Sequence, residues 1–259
     1  MKALTALLIA GLVAGCAQLP AWQAAPPVTV AEPLPTQWRQ IGESYEGRAL
    51  QAATFGDGRT RVYLIGGIHG DELPGLENIE RVRALLKTAG FLGDVTVRVL
   101  RDANPDGTLN GTRLNARGVD LNRNFPAESF TPSRRRGPAA LSEPEARTLL
   151  ADLKAFRPDL VVAFHAARRG PFVNYDGPAR HAAERFARAA AELDSRWYVE
   201  PDMGYPTPGS LGSLVGDDWG VPILTIEFLR GQPADEAWPV LEHALTALVG
   251  RPTPELLAR

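Results

Sequence analysis

Leu64 to Glu72 reads LIGGIHGDE: an apolar run ends in two glycines, and a histidine and a glutamate then stand three residues apart. The chain has only four histidines, so one beside two carboxylates at the end of a buried run calls for a reason, because a buried unpaired charge is costly. If the chain turns after the run, His69 and Glu72 reach one ion. Imidazole and carboxylate are zinc ligands, and catalytic zinc keeps three protein ligands with one position open. His165, which closes the apolar run LVVAF, is the natural third ligand. The H-x-x-E pair alone also fits a hydrogen-bonded turn histidine.

The elements around these residues alternate. Arg61–Ile65, Val95–Leu100, Leu160–Phe164 and Ile223–Phe228 are short β-rich runs. Helical patterns cover Pro74 to Lys87, Ser142 to Phe156, Gly177 to Leu193 and Ala234 to Val249. The second of these begins with SEPE at 142–145, which predicts a capping box with proline in the first turn. Such alternation predicts a single α/β domain with a mixed, largely parallel twisted sheet flanked by helices. Ligands of such sheets bind beyond the carboxyl ends of strands. His69, His165 and Glu227 all stand at or just past the ends of apolar runs, so one edge of one sheet can collect them. Asn104 to Ala140 lacks periodicity and is long for a structureless loop, which reads as a site-forming excursion.

The ordered motifs HGDE, NPDG, GVDLNRNF, a histidine closing an apolar strand, and TIEF resemble the zinc metallocarboxypeptidases of the carboxypeptidase A type. The resemblance runs from Ile41 to Phe228. NYDGPA at 174–179, YPTPGSLGS at 205–213 and SEPEAR at 142–147 bring it nearest to the bacterial murein peptide amidase branch. The resemblance implies a carboxypeptidase A-like fold and a Zn2+ ion held by His69, Glu72 and His165. It implies that Glu227 is the catalytic glutamate and that Arg113 stands beside the scissile carbonyl. Asn122 and Arg123 match the pair that holds the substrate carboxylate, and Tyr205 the mobile tyrosine of the substrate pocket. Either arginine also suits a structural salt bridge. Asp71 fits a turn-stabilising role better than ligation. Asp217 and Asp218, before Trp219, could select a substrate amine, although a turn role suits them too. His181 and His243 lie in helical patterns and read as surface or packing residues.

The amino terminus adds a location. Met1-Lys2 and the apolar run Ala3 to Gly15 have the size of a signal-peptide core and are too short to span a bilayer, which takes about 20 apolar residues. The run ends in VAGC, similar to the lipobox of bacterial lipoproteins, with Cys16 the lipidated residue and the only cysteine. A cleaved leader with an incidental cysteine is the plainer alternative. Ala17, where an aspartate would retain a lipoprotein at the inner membrane, leans towards the periplasmic face of the outer membrane. Residues 16–37 carry five prolines and read as a tether, leaving 38–259 as the zinc peptidase or amidase domain.

A composition of 44% hydrophobic and 22% charged residues is that of an ordinary globular protein, and a net charge of −2 gives no basic face for nucleic acid. The triple-arginine run Arg134, Arg135 and Arg136 suits a solvated loop or attraction to anionic wall polymer. The expected activity is zinc-dependent hydrolysis of an amide in murein peptides, at the γ-D-glutamyl-diaminopimelate bond. The rival readings are a general zinc carboxypeptidase, a deacylase like succinylglutamate desuccinylase or aspartoacylase, and a wall-binding module without catalysis.

Overall fold

The structure, a computed structural model, describes residues 37–88 and 92–250. The expected leader, Cys16 and nearly all of the tether lie outside these residues. In chain order the elements are β1 (Arg39–Glu43), β2 (Ala49–Phe55), β3 (Thr60–Ile65), α1 (Leu73–Glu77), α2 (Ile79–Leu86), β4 (Val95–Leu100) and α3 (Pro105–Asn110). There follow α4 (Pro144–Phe156), β5 (Leu160–Ala167), β6 (Phe172–Asp176), α5 (Arg180–Leu193), β7 (Val199–Glu200), β8 (Ile223–Leu229) and α6 (Ala234–Val249).

One eight-stranded sheet runs in the order β1-β2-β4-β3-β5-β8-β6-β7. Its centre, β4-β3-β5-β8, is parallel, while β2 joins β4 and β6 joins β8 antiparallel. The central strands read as unbroken apolar runs because both of their faces are covered. Leu64, Val162, Phe164, Ile226 and Phe228 pack with α2, α5 and α6 on one side. Tyr63, Ile65, Val161, Ala163 and Ile223 pack with α4 and the segment Leu211–Val221 on the other. His165 and Glu227 share the second face by alternation, and they are register partners in the β5–β8 ladder.

Two local expectations are corrected. The helical pattern 74–87 is broken into α1 and α2 at Asn78, whose fully buried amide donates to Pro74 O (3.0 Å) and Ala234 O (2.8 Å). The side chain thereby ties the break to the start of α6. The capping box does not form at α4: Glu143 is the cap residue and makes no side-chain cap bond. Glu145 instead accepts from Tyr45 N at 3.0 Å and Asn115 Nδ2 at 3.3 Å, and Ser142 Oγ donates to Glu143 at 2.7 Å. Buried donors from two loops have claimed the carboxylate that would have capped the helix. Among the described residues no helix is long and apolar enough to cross a membrane.

Candidate metal centre and active site

After β3 the chain turns so that Glu72 N donates to His69 O at 3.2 Å, which puts both side chains on one side of the turn. The turn presses against α3: a Cβ on Gly70 would stand 2.1 Å from the Gly107 carbonyl carbon, so this position has no room for a side chain. Three atoms then converge. His69 Nδ1 lies 3.0 Å from Glu72 Oε2, His165 Nδ1 lies 2.8 Å from the same oxygen, and the two Nδ1 atoms are 3.0 Å apart. Ligands held 2.0–2.1 Å from one tetrahedral zinc ion are separated by about 3.3 Å. The trio therefore has close to the spacing and the chemistry of a zinc site, and among the described residues it is the group that could hold a metal.

All three residues are buried, so their charge is compensated locally. Glu72 Oε2 also accepts from Ala166 N at 3.2 Å, and Oε1 accepts from Arg113 Nη1 at 2.9 Å and Arg230 Nη2 at 3.0 Å. Burial alone would raise the Glu72 pKa, but the hydrogen bonds and charges of His165 and His69 drive it far below the usual carboxylate range. Asp120 Oδ1 stands 3.1 Å from His69 Nε2, which leaves Nδ1 to face the centre. Burial likewise opposes ionisation of Asp120, and its bond to His69 overcomes this, with Arg113 and Arg123 adding to the effect.

The sequence-expected residues all reach one open cavity of about 430 Å3: His69, Glu72, Arg113, Asn122, Arg123, His165, Tyr205 and Glu227 line it. The aperiodic excursion delivers three of them. Asp120 Oδ1 accepts from Asn122 N at 3.0 Å and Asp120 Oδ2 from Arg113 Nε at 3.2 Å, so one carboxylate sets the ligand histidine and two pocket side chains together. Asn122 Oδ1 is used by Leu211 N at 2.9 Å, leaving its NH2 group as the end that can face a ligand. Arg123 donates to Asn122 O at 2.6 Å. Tyr205 is 54% exposed, at the cavity rim. Burial raises the pKa of Glu227, with Glu72 acting in the same direction against His165 and His69.

Other residues separate from the site. Asp71 Oδ2 accepts from Arg230 Nη1 at 2.8 Å and lies outside the ligand trio. Asp218 accepts from Glu128 N at 2.8 Å, and neither it nor Asp217 lines the cavity. His243 pairs with Glu192 at 2.8 Å, and His181 is exposed. The side chains of Arg134 and Arg135 point to solvent while the backbone of their loop braces the excursion: Asp120 N donates to Arg135 O and Asn124 Nδ2 to Arg136 O.

Sequence reasoning missed three residues. Asp120 sits within GVDLNRNF, Arg230 stands three residues after Glu227, and Asp176 lies within NYDGPA. Asp176 lines the cavity, and its carboxylate has no hydrogen-bond partner among the described residues. A Cβ on Gly212 would stand 2.1 Å from Asp176 Oδ2, so the glycine leaves the space the carboxylate fills. Burial, with Asp217 adding to it, pushes the Asp176 pKa up to about 6.

Comparison with known proteins decides the family. The profile described as zinc carboxypeptidase (Peptidase_M14) matches residues 29–201. The chain belongs to the zinc carboxypeptidase family. It is 29% identical over 187 residues to murein peptide amidase A of Vibrio campbellii, covering 66% of this chain and 70% of that protein. Against murein peptide amidase A of Escherichia coli K12 it is 29% identical over 198 residues, 68% and 77% of the two chains. The crystal structure of murein-tripeptide amidase MpaA from Escherichia coli O157 superposes with a TM-score of 0.65 at 26% identity, over 92% of this chain and 95% of that one. Carboxypeptidase A of Helicoverpa armigera shares the fold, with a TM-score of 0.65 at 19% identity, over 82% and 68% of the two chains. This zinc carboxypeptidase-family chain is thus a metallohydrolase acting on peptides, with the carboxypeptidase A-like fold.

Asp120 supports the ligand His69 through the far nitrogen of its ring. Asp120→Asn is expected to weaken zinc binding by about 10- to 100-fold, read by competition with a chromophoric chelator. Unchanged affinity would remove Asp120 from the support of the centre.

Proposed function

We propose that the protein cleaves the amide between γ-D-glutamate and diaminopimelate in cell-wall peptides, and does so in the bacterial envelope, anchored through lipidated Cys16 at the periplasmic face of the outer membrane. The observation that carries the substrate reading is the half-buried, unpaired carboxylate of Asp176 in the same cavity as Arg123 and Asn122. A pocket with a carboxylate-binding fork at one point and a lone carboxylate at another suits an amino acid with a second amine on its side chain. The similarity to proteins named murein peptide amidase supports the same substrate class. A lipobox-like VAGC at 13–16 would bring the enzyme to the compartment of peptidoglycan.

His69, Glu72 and His165 would hold the zinc, which when bound polarises a carbonyl and lowers the pKa of water to about 7. Glu227 takes a proton from the attacking water and delivers it to the leaving amine nitrogen. Burial suits it to this task, since a carboxylate raised towards neutrality both accepts and returns a proton. Arg113 is fixed by Glu72 and Asp120 through Nη1 and Nε, and its remaining N–H groups are free to steady the oxyanion. Asn122 and Arg123 hold the α-carboxylate beside the scissile bond, and Tyr205 closes the rim. A general carboxypeptidase would instead remove a terminal residue irrespective of a second amine, and a desuccinylase-like deacylase would act on small acylated amino acids.

Mass analysis of defined muropeptides is expected to show free diaminopimelate from the tripeptide L-Ala-γ-D-Glu-diaminopimelate, with the tetrapeptide cleaved more slowly because its D-alanine occupies, as an amide, the α-carboxyl that Asn122 and Arg123 would hold. Release of D-alanine alone from the tetrapeptide, with no diaminopimelate from either, would replace this reading by the general carboxypeptidase. Glu227→Gln is expected to retain zinc and lower kcat by about 100- to 10,000-fold; a near-normal kcat would exclude Glu227 from proton transfer. Asp176→Asn is expected to lower kcat/KM on the tripeptide by about 10- to 150-fold at pH 8. Because ammonium binding needs the ionised carboxylate and its pKa is about 6, the advantage of Asp176 over Asn should be full above that pH and fade as pH falls through it. A ratio that stays constant from pH 8 to pH 5 would count against an ionic role. Cys16→Ser is expected to abolish metabolic lipid labelling, and equal labelling of both proteins would show that VAGC is not a lipobox.

A further inference from the structure

Five arginines line the cavity: Arg113, Arg123, Arg168, Arg169 and Arg230. Four have an evident role. Arg113 and Arg230 are bound to Glu72, Asp120 and Asp71. Arg123 belongs to the proposed carboxylate fork. Arg169 donates to Met203 O at 3.2 Å and lies over the Phe172 ring, 5.0 Å from its centroid. Arg168 has no partner among the described residues, and Asp202 at the same cavity accepts from Gly204 N at 2.8 Å.

The sheet register fixes where this free cation stands. The reacting level is the rung His165↔Glu227. Asp176 is paired with Ile223, four residues before Glu227 on β8, and Asn174 and Thr225 line the floor between them on the same face. That is about 13 Å along the strands at 3.3 Å per residue. Arg168 follows Ala167, which is paired with Leu229, so it lies beyond the reacting rung in the opposite direction. Its loop is held tight: a Cβ on Gly170 would stand 2.5 Å from Phe228 O and 2.9 Å from Glu227 O. On the γ-glutamyl reading above, the leaving amino acid extends towards Asp176, which leaves the direction of Arg168 for the acyl half of the substrate.

We propose that Arg168 is a specificity-determining residue that binds a carboxylate on the acyl side of the scissile amide. The inference rests on the γ-glutamyl reading above and deepens it. In a γ-linked glutamate the α-carboxylate is free and close to the scissile carbonyl, whereas an α-linked residue has spent that carboxylate in the peptide bond itself. A cation at this point separates γ-linked acyl groups from ordinary peptides, and from wall peptides in which the glutamate is amidated to isoglutamine.

The test compares tripeptides carrying the free α-carboxylate or its α-carboxamide, with zinc-loaded full-length wild type, Arg168→Ala and Arg168→Lys, by release of diaminopimelate. The site is at an exposed rim, so the preference is set at the low end for a charged hydrogen bond: about 10-fold in kcat/KM for acid over amide in the wild type. Arg168→Ala is expected to bring that ratio to about one, and Arg168→Lys to restore part of it. The ratio is internal to each variant, so a folding loss does not imitate the result. Equal cleavage of acid and amide by the wild type, or an undiminished ratio in Arg168→Ala, overturns the inference while leaving the amidase reading intact. A second pair of substrates, ending in diaminopimelate or lysine, asks whether Arg168 reads the distal carboxylate instead. If Arg168→Ala changes that ratio and spares the acid-to-amide ratio, the inference fails. Cleavage of no tripeptide by the wild type overturns both this inference and the γ-glutamyl reading it rests on.

Discussion

The buried carboxylate of Glu72 is the constraint on which the site depends. A carboxylate this enclosed is tolerated only with compensating polar partners on both oxygens. Oε2 meets two imidazoles and a backbone amide, and Oε1 meets two guanidinium groups. Those five groups come from the turn after β3, the excursion after α3, and the ends of β5 and β8. Neutralising one side chain therefore draws together segments separated by more than 150 positions, as the Glu72–Arg230 contact shows with a separation of 158. A zinc ion at the same point adds positive charge where the imidazoles already face the carboxylate, so the protein holds the centre in a form prepared for a cation.

The second organising element is the sheet itself. Alternation gives β6 and β8 a polar row on one face, Asn174 and Asp176 beside Thr225 and Glu227, while Val173, Leu224 and Ile226 between them enter the core on the other. A cavity floor is made in this way with the polar side chains of the row turned away from the apolar core. The row has a direction. Glu227 is level with His165, and Asp176 lies at its other end, level with Ile223. A long side chain with a terminal amine follows such a floor, whereas a small acylated amino acid leaves its far end unused.

Much of this was legible in the chain, and the gaps have physical causes. β3, β4, β5 and β8 announce themselves because both faces are buried and the runs are apolar throughout. β1 is an edge strand with the polar sequence RQIGE, β2 is rich in alanine and glutamine, and β6 mixes two buried apolar residues with its polar row; none has a run to detect. The pattern 74–87 is periodic, yet Asn78 breaks it through a bond to residue 234 that no local signal encodes. The metal trio was readable because its motifs carry it. Asp120 and Arg230 were not, because each acts through a neighbour that only the fold supplies, His69 and Glu72, and Asp176 was not, because only the fold sets it in the same cavity as Arg123. The arginine run at 134–136 shows the reverse, with the conspicuous side chains of Arg134 and Arg135 in solvent and a backbone that braces the Asp120 turn.

The central claim is that one cavity reads both ends of a diamino acid beside a zinc centre. A crystal structure of the protein with zinc and meso-diaminopimelate tests it most directly. The expected result is a metal held by His69, Glu72 and His165, a ligand carboxylate on Arg123 and Asn122, and the far ammonium within hydrogen-bond distance of Asp176. A ligand bound with its far ammonium turned to solvent and Asp176 still unpaired would contradict it.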